Sequence, residues 1–336
     1  MKVLEHNDYI KGILDGDTII LSRAITLLES TRSDHQVLAR EILEELLPHT
    51  GGSKRIGITG VPGVGKSTFI EAVGENLIGE NKKLAVLAVD PSSSLSKGSI
   101  LGDKTRMEKL TGNPRVYIRP TAAGGSLGGV SRRTRETIML CEAAGYDYVL
   151  VETVGVGQSE IAVHSMVDCF VLLLLAGAGD ELQGIKRGIM EMADIIAINK
   201  AYEDDELKPK ARLSMQEIKN ALHYYPQKEF SWLTKVKAID SLARQGLESL
   251  LKSFNSFFEH QDLKGFFKAR RKEQDLFWFH ETIKQRLLSN FYTNSEVDNK
   301  ITALEAEIIA GKTSSFNAAD QLFQNGSEPF KGSEPS

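Results

Sequence analysis

The run Gly60-Val61-Pro62-Gly63-Val64-Gly65-Lys66-Ser67 constrains this chain more than any other feature. It fits the spacing G-x-x-x-x-G-K-[ST] and lies between a short β-branched run at 55–59 and a helical stretch beginning near Lys66. Such a loop wraps phosphate with backbone N–H groups, and the helix that follows presents its positive N-terminus to the anion. Lys66 is then expected to reach the β- and γ-phosphates, and Ser67 to ligate Mg²⁺. Gly60, Pro62, Gly63, Val64, Gly65 and Thr68 complete the expected nucleotide cradle.

The surrounding pattern alternates β-branched runs with helical stretches. Strands are expected at 55–59, 84–89, 116–118, 148–151, 170–175, 195–198 and 232–236. That alternation implies an α/β P-loop NTPase fold, a mostly parallel central sheet flanked by helices. Before it, apolar residues from Ile19 to Leu28 and from Val37 to Leu47 recur at three- and four-residue steps, predicting two amphipathic helices. After Gly246 the same period returns through Phe266, Phe267, Phe277 and Trp278, as core or as a subunit seam. The expected division is an N-terminal helical segment at 1–50, a nucleotide-binding domain at 51–260, a C-terminal helical arm at 261–325 and a disordered tail at 326–336.

Composition narrows the class of function. With 336 residues, 41 basic against 45 acidic side chains and 41% apolar content, the chain is long enough to bury a large core and carries no excess of positive charge. Nucleic acid is therefore not the expected partner. The longest apolar run, from Val171 to Ala176, is far short of the ~20 residues that span a bilayer. Asp and Glu residues break up the first seventeen positions, so a cytoplasmic location is expected. Cys141 and Cys169 have no metal-site spacing.

Hydrolysis also needs acids at the carboxyl ends of neighbouring strands, where ligands collect in open parallel sheets. Asp90 and Glu152 fit, each also readable as a helix cap. Gly155 follows Glu152 closely enough to approach a γ-phosphate. Asp103 and Arg106 lie in a Gly- and Ser-rich stretch that reads as a switch loop, and Gln183 and Lys186 lie in a second one. Asn199 and Lys200 begin like the Asn-Lys-x-Asp element that reads guanine, yet the fourth residue is Tyr202. A phenol does not reproduce the two-pronged carboxylate acceptor, so guanine preference is expected to be weakened unless Asp204 or Asp240 supplies it.

The cradle at 60–67, the run at 151–160 beginning Val-Glu-Thr-Val-Gly-Val-Gly-Gln and the run at 179–191 beginning Gly-Asp-Glu-Leu-Gln-Gly together resemble the MeaB/ArgK family of P-loop GTPases. The likeness extends over roughly residues 17–324. It implies Mg²⁺-dependent GTP hydrolysis to GDP with Lys66, Asp103, Glu152, Gln183 and Lys186 in the catalytic machinery. It also implies a metal shell of Ser67, Asp90, Asp103 and Glu152, with Asn199, Lys200 and Ala238 near the base. The family acts as a chaperone for adenosylcobalamin-dependent acyl-CoA mutases of the methylmalonyl-CoA type, gating cofactor delivery, and forms homodimers through the helical arm. Two alternatives stand beside it: a nucleotide-gated binding module with vestigial hydrolysis, and an NTPase of relaxed or ATP preference owing to Tyr202.

Overall fold

The computed structural model describes residues 3–89, 107–121, 127–153, 159–176, 187–226 and 231–324. Asp90, Asp103, Arg106, Gly155, Gln183, Lys186 and the tail at 326–336 lie outside them. Three helices open the chain: α1 (His6–Leu14), α2 (Thr18–Glu29) and α3 (Ser33–Leu46). Asp17 starts α2 by accepting from the backbone N–H groups of Ile19 and Ile20.

Seven strands follow among the described residues: β1 (Lys54–Gly60), β2 (Leu84–Val89), β3 (Val116–Thr121), β4 (Tyr148–Thr153), β5 (Cys169–Leu175), β6 (Ile195–Asn199) and β7 (Lys235–Ala238). They form one sheet in the order β3-β2-β4-β1-β5-β6-β7, with every neighbouring pair parallel. Helices α4 (Lys66–Gly79), α5 (Leu127–Ala143), α6 (Ser159–His164), α7 (Arg187–Met192) and α8 (Leu207–Leu222) connect them. Helices on both faces explain why strands such as β2 are apolar at every position and buried throughout. An all-parallel sheet also brings every strand's carboxyl end to one edge, which is where the cradle emerges from β1.

The opposite edge is fixed by charge. Arg55 donates two hydrogen bonds of 2.8 Å to the Glu142 carboxylate, and both side chains are buried. Glu142 also accepts from the Gly51 N–H, while Asp168 accepts from the Arg55 N–H and from Arg271. The segments carrying Gly51, Glu142 and Arg271 are thereby held to the amino ends of β1 and β5.

The C-terminal helices are α9 (Leu247–Leu263), α10 (Phe266–Thr293), α11 (Ser295–Ile309) and α12 (Ser315–Gln324). The chain divides into two compact units, Met1–Asp275 and Leu276–Ser336. In the first, Phe266 and Phe267 join Phe257 and Phe258 on the main core, so these two aromatics are core residues. In the second, the rings of Phe291 and Phe323 stack at 5.3 Å. No helix among the described residues is long and apolar enough to cross a membrane.

Two expectations need correction. The first is that three helices, not two, precede the sheet: α1 is short, nine residues, and its apolar face is only Tyr9, Ile10, Ile13 and Leu14, of which Tyr9 and Ile13 are buried. The second is that the last strand lies at Lys235–Ala238 instead of 232–236. Trp232 is buried for another reason: its indole N–H donates to the Asp194 carbonyl at 3.1 Å and its ring meets Phe257 edge-on.

Candidate active site

Two glycines shape the cradle. Gly60 has φ 151°, and a Cβ there would lie 2.6 Å from the Leu173 carbonyl oxygen. Gly65 has φ 94°, and a Cβ there would lie 2.7 Å from Asn199 Nδ2. Both the dihedral angle and the space therefore demand glycine. Pro62 and Gly63 are exposed at the mouth, Val64 is buried beneath it, and Thr68 is half-buried on the first turn of α4.

Lys66 is the first residue of α4 and lies back across its own loop, donating to the carbonyls of Gly60 at 2.8 Å and Val61 at 3.3 Å. Burial pushes its pKa below the ordinary lysine value, while the carboxylates of Glu152 and Glu160 act in the opposite direction. Glu160 is itself buried, at the start of α6. Its place beside the lysine was not foreseen, because the only sequence signal was its closeness to Glu152.

Glu152 lies on β4 opposite Ile58 of β1 and Ala88 of β2. Ser67 Oγ stands 3.5 Å from Glu152 Oε1, so the two expected metal donors described here converge. A hydroxyl and a carboxylate are hard oxygen ligands of the kind Mg²⁺ takes. Next to them Thr153 donates to Thr59 at 2.9 Å, both buried, which fixes the ends of β4 and β1 against each other.

Asn199 ends β6 and is buried. Its Nδ2 donates to the Val64 carbonyl at 2.8 Å, and its Oδ1 accepts from the Ser241 N–H at 3.0 Å and hydroxyl at 2.8 Å. Ser241 is a residue that sequence reasoning missed, since only the folded chain brings it to Asn199. Lys200 is exposed and adopts φ 55°. Ala238 closes β7 and is half-buried against the apolar cluster of β5, β6 and α8 rather than extending beyond the sheet.

Tyr202 packs against that same cluster, which accounts for an aromatic ring at this position. The two acids considered as substitutes have local tasks. Asp204 accepts from the N–H groups of Glu206 and Leu207 in the turn that leads into α8. Asp240 is buried and accepts from the Ala243 N–H at 2.8 Å, holding the turn that leads to α9.

Comparison with known proteins agrees with this geometry. The family model described as "Methylmalonyl Co-A mutase-associated GTPase MeaB" matches residues 21–296. A protein of Caulobacter vibrioides called "Putative GTPase" is 48% identical, covering 95% of each chain. The mouse "Methylmalonic aciduria type A homolog, mitochondrial" is 42% identical, covering 93% of this chain and 77% of its own. A solved structure of an LAO/AO transport system kinase superposes with a TM-score of 0.75 at 33% identity, covering 96% of this chain and 99% of that one. These relationships favour a GTP-hydrolysing enzyme over a purely nucleotide-gated module or an ATP-preferring NTPase. An all-parallel sheet carrying a phosphate loop, with Lys66, Ser67 and Glu152 together at its carboxyl edge, is the fold of a P-loop GTPase, and the chain belongs to the family of methylmalonyl-CoA mutase-associated GTPases, MeaB.

Proposed function

We propose that this GTPase serves as a chaperone for an adenosylcobalamin-dependent acyl-CoA mutase of the methylmalonyl-CoA type, coupling GTP hydrolysis to cofactor delivery and protection of the mutase. The reading rests chiefly on the family match across residues 21–296, whose description names the mutase association. It is supported by the assembly of Lys66, Ser67 and Glu152 at one point of the sheet edge.

In this mechanism the loop amides and Lys66 bind the triphosphate and neutralise charge on the transferring phosphoryl group. Lys66 must exchange its bonds to the Gly60 and Val61 carbonyls for phosphate oxygens, a move that its position across the loop allows. Ser67 and Glu152 would hold Mg²⁺, with Asp90 and Asp103 as further ligands. Bound there, the ion supplies electrostatic neutralisation of the phosphates. Glu152, with Gly155, Gln183 and Lys186, would order the attacking water, and the segment carrying Gln183 and Lys186 would respond to the partner. Asn199 and Lys200 support the base.

The protein is proposed to be a cytoplasmic homodimer held by the helical arm at 261–325. Exposed Phe279, Leu288, Tyr292, Ile309 and Phe316 leave an apolar surface there that a second copy would cover. A phosphate-release assay with and without a methylmalonyl-CoA mutase tests the chaperone role. Faster turnover in its presence is expected, and a rate unchanged by saturating mutase would contradict it.

A further inference from the structure

Beyond the P-loop itself, one side chain ties the base side of the site to the helix that carries the phosphate loop. Arg244 lies in the turn between β7 and α9 and adopts φ 61°, a left-handed conformation that non-glycine residues rarely occupy. Its guanidinium spans two elements. Nη1 donates to the Ser241 carbonyl at 2.8 Å, and Nη2 donates to Glu75 Oε2 on α4 at 2.6 Å, with Glu71 Oε2 at 3.8 Å.

The glutamates stand one turn apart on α4, where like charges repel unless a cation neutralises them. Arg244 does so from one side. From the other, Glu71 accepts from the Lys109 N–H at 2.9 Å, and Lys109 Nζ lies 3.5 Å from Glu75. The chain of contacts then continues inward. The Ser241 whose carbonyl Arg244 holds is the residue whose N–H and hydroxyl hold Asn199, and Asn199 holds the Val64 carbonyl inside the cradle.

We infer that Arg244 is a positioning residue for guanine-nucleotide affinity: anchored on Glu75, it sets the Ser241 loop and, through Asn199, the base-side wall of the cradle. The left-handed backbone lets side chain and backbone be separated: glycine at φ 61° relieves the backbone strain while removing the guanidinium, so an affinity loss in Arg244→Gly belongs to the lost side chain and not to added strain.

The inference rests on guanine nucleotide as the ligand but not on a mutase partner, so its test uses the whole protein alone. Binding of a fluorescent GDP analogue is measured for wild type, Arg244→Gly, Arg244→Ala and Glu75→Gln, alongside thermal unfolding. Arg244→Gly and Arg244→Ala are expected to raise Kd about five- to tenfold, with Arg244→Gly keeping a midpoint at or above that of Arg244→Ala. Glu75→Gln is expected to raise Kd in the same direction by a smaller factor. In steady-state hydrolysis the effect should fall on KM rather than kcat. Kd within twofold of wild type for both arginine variants would overturn the inference, as would losses of affinity that merely track losses of stability. Should the arginine variants fail to fold, an unchanged Kd in Glu75→Gln overturns it equally. Failure of wild type to bind GDP would instead strike the ligand assignment itself.

Discussion

Asn199 Nδ2 donates to the Val64 carbonyl at 2.8 Å across 135 residues of sequence, joining the end of β6 to the inside of the phosphate loop. The same amide accepts twice from Ser241. One buried carboxamide therefore sets the spacing between the loop at Val64 and the turn at Ser241.

Replacing it exposes that role. Asn199→Ala leaves the Val64 carbonyl and the Ser241 donors buried without their partner, a loss of about 1–3 kcal/mol in unfolding free energy. Urea titration of the nucleotide-free protein measures it. Weaker GDP binding should accompany the change, and wild-type values for both quantities would refute the joining role.

Lys66→Ala is expected to cut phosphate release from GTP by about a hundredfold or more, because the removed charge acts on the transferring phosphoryl group. Far-ultraviolet circular dichroism should remain that of wild type. Retained turnover in this variant would contradict the assignment of the loop.

The depressed pKa of Lys66 carries a stability signature. Burial makes the folded, nucleotide-free state release this proton more readily than the unfolded chain, where the ordinary value is 10.5. Below both values the buried charge is unfavourable; as pH rises through the folded value toward 10.5, the unfolded state holds more protons and stability rises. Urea midpoints followed between neutral pH and about pH 10 should therefore climb more steeply for wild type than for Lys66→Met. Parallel curves would show that the lysine titrates alike in both states.

At the far edge of the sheet, Glu142→Ala should cost about 3–5 kcal/mol, because it strands the buried Arg55 guanidinium. Chemical denaturation measures the loss. Since Glu142 is remote from the cradle, the surviving folded fraction should bind GDP with wild-type affinity; a specific loss of affinity would show the two edges to be coupled.

Much of this was legible in the chain because it depends on local backbone requirements. Gly60, Gly65 and Lys66 stand out in the chain because a loop of this kind needs positive φ, close approach and a helix start on neighbouring residues, and the backbone has all three. The inner strands read well because burial on both faces leaves them uniformly apolar, as in β2. What escaped depends on contacts remote in sequence. Ser241 has no local mark of its bond to Asn199, and Trp232 looked like strand because its burial comes from Phe257 and Asp194. Asp204 and Asp240 read as candidate base acceptors, and the bonds that each accepts from the N–H groups of its own turn had no mark in the pattern. Tyr202 marked a departure from the guanine-reading pattern, and the cluster it packs against became visible only once β6 and α8 were assembled.

The central claim is that the loop from Gly60 to Ser67 binds and hydrolyses GTP with Lys66, Ser67 and Glu152 at its centre. Multiple-turnover phosphate release from GTP in Mg²⁺, run in parallel with ATP and with Lys66→Ala, tests it most directly. Saturable release from GTP that exceeds release from ATP and disappears in the variant is the predicted result. No release from GTP by the wild-type protein, or equal release by the variant, would contradict the account.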